Sequence, residues 1–153
     1  MNYENIFRHF SSLFKLYHRE EDTVLIEQIF SKVTVTSIYL SEITKVEFTS
    51  SVWKKVRTKE ITELDAIKTL QLFERDSAKY TFIATDSLII EQARILTTKY
   101  GFKGLRTLDS IQLSSAISFK SEVGLFVTSD NLLKSLLSDE GLQTEYPAGN
   151  KSV

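Results

Sequence analysis

The chain has no cysteine anywhere in its 153 residues, which excludes disulfides and thiolate metal sites. No apolar run approaches the roughly 20 residues that a membrane span needs, so membrane insertion is not expected. The first residues, MNYENIFRHF, lack the basic end, long apolar centre and small-residue cleavage site of a secretory signal. Together these absences fit a cytoplasmic protein. Strong charge of either sign is missing too, with 19 Lys and Arg against 20 Asp and Glu and a formal net charge of -1. Without a global basic field to hold phosphate, any contact with nucleic acid must be local. Internal repeats, low-complexity segments and interdomain linkers are also lacking.

What is present fits one globular domain. A chain of this length buries roughly two-thirds of its unfolded surface, and the domain is expected over residues 1–147, with 148–153 as a flexible C-terminal tail. Short apolar runs alternate with longer helical patterns, which argues for an α/β domain with a mainly parallel sheet. Strands are expected in the opening stretch before His9, at Lys32–Thr36, Tyr80–Thr85, Leu125–Thr128 and Leu142–Tyr146.

Between the strands lie the helical patterns. Leu13 to Tyr17 begin one helix, and Asp22 caps a second that carries Val24, Leu25, Ile26, Ile29 and Phe30. Ser41 is placed to cap a long helix through about Arg57, with Ile43, Val46, Ser50 and Trp53 at helical spacing. Thr62 and Asp65 have capping-box spacing before Leu64, Ile67, Leu70 and Phe73. Asp86 or Ser87 caps the next helix and Gly101 is a suitable left-handed stop for it. Thr107 caps a helix through about Phe119, and Asp130 caps one ending near Gly141.

Three acids stand out by position. Glu47 flanks the apolar stripe of the long helix, where small Ser50 and Ser51 leave room above its carboxylate. Asp109 falls in the first turn of its helix beside Leu108 and Ile111, and Asp130 closes LFVTSD at the carboxyl end of a strand, where open parallel sheets place their ligand crevices. Taken singly, each reads as a snorkelling side chain, a helix-dipole partner or a cap. Taken jointly, a helix edge, a helix start and a strand end that converge at one sheet edge suit a divalent cation, which needs several oxygen ligands. Lys54, Lys55 and Arg57, with Lys59, form a basic helix end. It reads either as a solvated last turn complementing the helix dipole or as a local RNA contact. His18 belongs to a charged, solvated stretch.

The segments SEITKVEF, LRTLDSIQLSSAI and LFVTSDNLL, in this order and spacing, resemble the PIN-domain ribonucleases, especially the VapC-like toxins of bacterial toxin and antitoxin pairs. FSSLFKLYHREED looks like that family's first strand, turn and helix, and IIEQARILTTKYGFKG like the helix leading to its third acid. The resemblance implies a PIN-like three-layer fold, with about five parallel strands flanked by helices. It also implies an acidic Mg2+ or Mn2+ site that activates water against an RNA phosphodiester. Carried over, Glu47, Asp109 and Asp130 match the second, third and fourth family acids, with Ser11 and Thr128 or Ser129 orienting ligands or water. The first family acid is absent, and His9 stands in its place. Imidazole is a poor ligand for hard Mg2+, acceptable to Mn2+ and better for Zn2+, so His9 either weakens Mg2+ binding and misplaces the water or joins Glu47, Asp109 and Asp130 as a metal ligand in a site retuned to a softer ion.

The resulting expectation is a VapC-like metal-dependent endoribonuclease acting on RNA, impaired by His9; the alternative is a catalytically silent PIN-like module that binds RNA or protein. A cognate antitoxin is implied as partner. A homodimer is also expected, prompted by the family and by exposed-looking Phe73 and Tyr80.

Overall fold

The computed structural model describes residues 3–9, 14, 17 and 34–144. Numbered along these residues, the elements are β1 (Tyr3–Arg8), β2 (Thr34–Ser41), α1 (Thr44–Arg57), α2 (Glu63–Asp76), β3 (Tyr80–Ile83), α3 (Ser87–Tyr100), α4 (Thr107–Ser118), β4 (Leu125–Val127) and α5 (Asn131–Asp139). The four strands form one sheet in the order β3-β2-β1-β4, and every neighbouring pair is parallel. All strand carboxyl ends therefore lie along one edge. The central β1 is bonded to β2 through Ile6↔Ile38 and to β4 through Ile6↔Leu125.

Strand alternation sends successive side chains to opposite faces, and each face has its own core. On one side Phe7, Ile83 and Phe126 pack with Leu96, Leu113, Ala116, Leu133 and Leu136 from α3, α4 and α5. On the other, Leu40 packs with Phe48 and Val52 of α1, Ala66 and Phe73 of α2, and Phe14. The Phe48 and Phe73 rings stack at 4.2 Å between centroids. The result is the three-layer arrangement that the resemblance implies, built on the parallel α/β sheet that the alternating pattern predicts. Helix α4 is enclosed on most sides, burying Ser110, Gln112, Leu113, Ser114, Ser115 and Ala116.

Several local expectations are corrected. The described residues carry four strands, not five: Leu142–Thr144 take no strand conformation, although the Gln143 carbonyl accepts from the Phe126 N–H at 2.8 Å and covers that part of β4's outer edge. β2 is described from Thr34 and runs past the expected end at Thr36 to Ser41, because Ser41 pairs with Ile83 of β3. Ser41 is thus a strand residue, and α1 opens behind Ile43 with no side-chain cap. Its buried positions are Thr44, Glu47, Phe48 and Val52, while Val46, expected inside, is 71% exposed. Thr107 is the first residue of α4, not its cap. Gly101 is right-handed at φ -56°, and the left-handed glycine is Gly104 at φ 101°.

Phe73 is buried and Tyr80 is half-buried, its hydroxyl 3.1 Å from that of Tyr17, so neither is the exposed aromatic that the dimer expectation used. The Thr62–Asp65 capping box and the Asp86 and Asp130 caps form as expected. The expected Asp22-capped helix, most of the Leu13–Tyr17 turn, Phe10, Ser11, His18 and the 148–153 tail lie outside the described residues. Among the described residues no helix is long and apolar enough to cross a membrane.

Candidate functional site

Parallel pairing brings the ends of β1 and β4 side by side. His9 follows β1 directly, and its N–H donates to the Val127 carbonyl at 2.9 Å, extending the ladder by one residue. Its imidazole is buried, with Nδ1 3.1 Å from Thr128 Oγ1 and Nε2 3.8 Å from Asp109 Oδ1. Burial pushes its pKa down to about 4 against a weaker upward pull from Asp130, so the ring is neutral at physiological pH. Nδ1 shares a hydrogen bond with the Thr128 hydroxyl whose direction follows the ring tautomer, while Nε2 faces Asp109.

Thr128 Oγ1 also accepts from the Asp130 N–H at 3.0 Å, and Asp130 Oδ1 accepts from the Leu133 N–H at 2.7 Å. Asp130 is thereby held at the strand end as the cap of α5, with Ser129 in the same turn. Asp109 occupies the first turn of α4. Burial raises its pKa, and the Asp130 charge raises it further, while Arg106 opposes, with Nε 4.0 Å from Asp109 Oδ2.

Glu47 comes from the first turn of α1 and is nearly buried. Burial lifts its pKa to about 7, with a smaller upward push from Asp109 and an opposing hydrogen bond from Gln112. The Gln112 Nε2 lies 3.4 Å from Glu47 Oε1 and 3.0 Å from Thr44 Oγ1. Above Glu47 and Asp109 opens a cleft of about 630 Å³, lined by Ile43, Val46, Ser50, Ser51, Arg106, Thr107 and Leu108 as well as the two acids. Ser50 and Ser51 leave the room expected of them. Lys54, Lys55 and Arg57 sit in the last turn of α1, about 10 Å further along the helix from Glu47. Lys55 is paired with Glu60 at 2.8 Å and lies over the Phe14 ring; Lys54 and Arg57 are exposed.

Solved structures share this architecture. VapC20 of Mycobacterium tuberculosis, described as a sarcin-ricin loop cleaving toxin, aligns with a TM-score of 0.66 at 12% identity, over 86% of this chain and 94% of that one. VapBC2 from Rickettsia felis, bound to a DNA fragment from its promoter, gives 0.61 at 16% identity over 92% and 97%. DNA-bound VapBC from Salmonella typhimurium gives 0.59 at 14% identity over 93% and 97%. The chain has the VapC toxin fold. No family model matches it, and no curated protein does either.

Within this VapC-type fold, Glu47 and Asp109 line the same cleft, His9 lies beside Asp109, and Asp130 stands at the end of β4. Asp109 is the hub: it approaches His9 and interacts with the charges of Glu47 and Asp130. The chemistry of three hard oxygen donors suits Mg2+ or Mn2+. The side-chain positions do not form the convergent cage expected from the sequence: among the described residues no group of three or more His, Asp or Glu is gathered closely enough to hold a metal ion. Raised pKa values at Glu47 and Asp109 mark carboxylates that a nearby cation would favour in charged form. Arg106, Thr44 and Gln112 were not singled out from the sequence. Arg106 could have been found as the cation preceding an acid-bearing helix start; a buried Gln on an otherwise apolar and small-residue helix leaves no signal in periodicity.

Proposed function

We propose that this chain is a VapC-like endoribonuclease that depends on Mg2+ or Mn2+ and whose activity is lowered by His9. The observation that carries this reading is the meeting of Asp109 with His9, and its coupling to Glu47 and Asp130, at the carboxyl edge of a VapC-type sheet. Glu47, Asp109 and Asp130 would hold the cation. When bound, it would supply an activated water and stabilise the leaving oxygen of an RNA phosphodiester. The chain's own groups do the rest. Thr128 fixes the His9 ring and the Asp130 backbone, the cleft between α1 and α4 receives the strand beside Glu47, and Arg106 offers a positive charge to phosphate.

His9 favours impairment, because a buried neutral imidazole supplies no anionic oxygen to a Mg2+ site. The same observation favours a second reading, a catalytically silent PIN-like module that keeps the fold to bind RNA or protein. Replacement His9→Asp separates the two. The enzyme reading expects tighter Mg2+ binding by calorimetry and faster cleavage of a structured RNA, with both gains abolished by adding Asp109→Asn. Unchanged affinity and cleavage would reject His9 as the missing ligand position.

A cognate antitoxin and a homodimer complete the proposal, as both accompany toxins of this fold in the family the sequence resembles. The dimer reading rests on apolar side chains left exposed on α2 and α3, among them Leu64 at 60% and Leu88 at 78%, which a partner copy would cover. Light scattering should give twice the mass of 17.5 kDa at micromolar concentration; a monomer mass throughout rejects the dimer.

A further inference from the structure

Gln112 is 1% exposed on α4. Its Nε2 is shared between two residues of α1's first turn, Thr44 Oγ1 at 3.0 Å and Glu47 Oε1 at 3.4 Å. Its Oε1 is buried with no hydrogen-bond partner among the described residues. An apolar side chain of the same length would pack α4 against α1 without leaving that oxygen unsatisfied. The amide is therefore a costly way to join two helices, but an effective way to fix a carboxylate: its two N–H bonds diverge in a rigid plane and take Thr44 as a fixed anchor.

We infer that Gln112 is the positioning residue of the acidic site, its amide anchored on Thr44 and holding one oxygen of Glu47 so that the other faces the cleft. Like a hydrogen bond to a metal-ligating side chain elsewhere, this contact sets the orientation of the ligand and not the fold. The inference rests on the proposed cation site only for its effect on metal affinity; the Gln112–Glu47 contact is tested separately.

Two measurements on the full-length chain decide it. The Gln112 side-chain amide is assigned by triple-resonance NMR in metal-free protein and compared with that of Glu47→Gln. At a pH above the Glu47 pKa of about 7 it is expected to shift, because its acceptor loses charge; an unmoved resonance there overturns the inference whatever the metal result. Mn2+ alone is then titrated by calorimetry into the parent, Gln112→Met, Glu47→Gln and the double variant. Gln112→Met is expected to bind Mn2+ at least about 10-fold more weakly, to melt in EDTA no lower than the parent, and to add nothing in the Glu47→Gln background. Unchanged Mn2+ affinity with a lowered melting point would make Gln112 a purely structural residue and overturn the inference. A parent that binds no Mn2+ while its amide resonance still tracks Glu47 would reject the cation site and leave the positioning contact supported.

Discussion

At the scale of single residues, the site holds two buried groups whose protonation pulls stability in opposite directions. His9 has its pKa lowered from 6.5 to about 4, so between those values the unfolded chain holds a proton that the native chain does not, and stability rises with pH. Glu47 has its pKa raised from 4.5 to about 7, so there the native chain holds the extra proton and stability falls as pH rises. Asp109, also raised, acts in the same direction as Glu47. In the window common to His9 and Glu47, between about pH 4.5 and 6.5, the slopes oppose each other, and the parent's stability should rise with pH less steeply than that of a chain lacking the Glu47 carboxyl. Glu47→Gln removes one arm. Urea unfolding should then show stability climbing more steeply with pH across that window, by up to about 1.4 kcal/mol per unit relative to the parent for the one proton removed. Parallel profiles for parent and variant would disprove this opposition.

The three acids were legible only jointly and through the resembled pattern, since each alone reads as a snorkelling side chain, a helix-dipole partner or a cap. His9 was legible only as a break in a resembled pattern. Nothing in the sequence marks its burial or its contact with Thr128, since both depend on β4 arriving beside β1. Gln112 was not legible at all: periodicity treats a glutamine as surface, and only the packing of α4 against α1 makes it internal.

At the scale of elements, local chemistry was read well and sheet context poorly. The Thr62–Asp65 box and the Asp86 and Asp130 caps are set by contacts within four residues, so sequence spacing suffices for them. Ser41 has the chemistry of a cap, yet it is drawn into β2 by pairing with Ile83, and its hydroxyl accepts from Ser115 of α4 at 3.0 Å. The turn after α3 likewise uses Gly104, where φ is positive, and leaves Gly101 in an ordinary helical conformation.

Asp130 has two duties that can be separated. As cap of α5 it accepts the Leu133 N–H, and asparagine caps about as well as aspartate. Asp130→Asn should therefore keep the unfolding midpoint near that of the parent while weakening Mn2+ binding. Asp130→Ala should lose the metal affinity and about 1 kcal/mol of stability as well. Equal destabilisation by both substitutions would mean that the charge, not the cap, secures the helix.

At the scale of the whole molecule, a net charge of -1 leaves RNA recognition to local cations. Arg106 lines the cleft, whereas exposed Lys54 and Arg57 stand at the far end of α1. If a bound strand runs from the cleft along that helix, Lys54→Glu with Arg57→Glu should weaken binding of single-stranded RNA and shallow its dependence on salt by about two released counterions. Fluorescence anisotropy at several salt concentrations measures both quantities. An unchanged slope would confine the RNA to the cleft and return the basic turn to a solvated helix end.

The double pairing of β1 also sets an order of events in synthesis. A ribosome releases the N-terminal strand first, and β2 can join it early, but the β4 side of β1 stays bare until residues near Leu125 emerge. Distant pairing of this kind folds slowly and leaves an unsatisfied strand edge open to other chains. His9 and Asp130 belong to the two strand ends that meet last. A nascent chain is therefore born without its acidic centre, and whatever chemistry that centre performs begins only when the final strand closes the sheet.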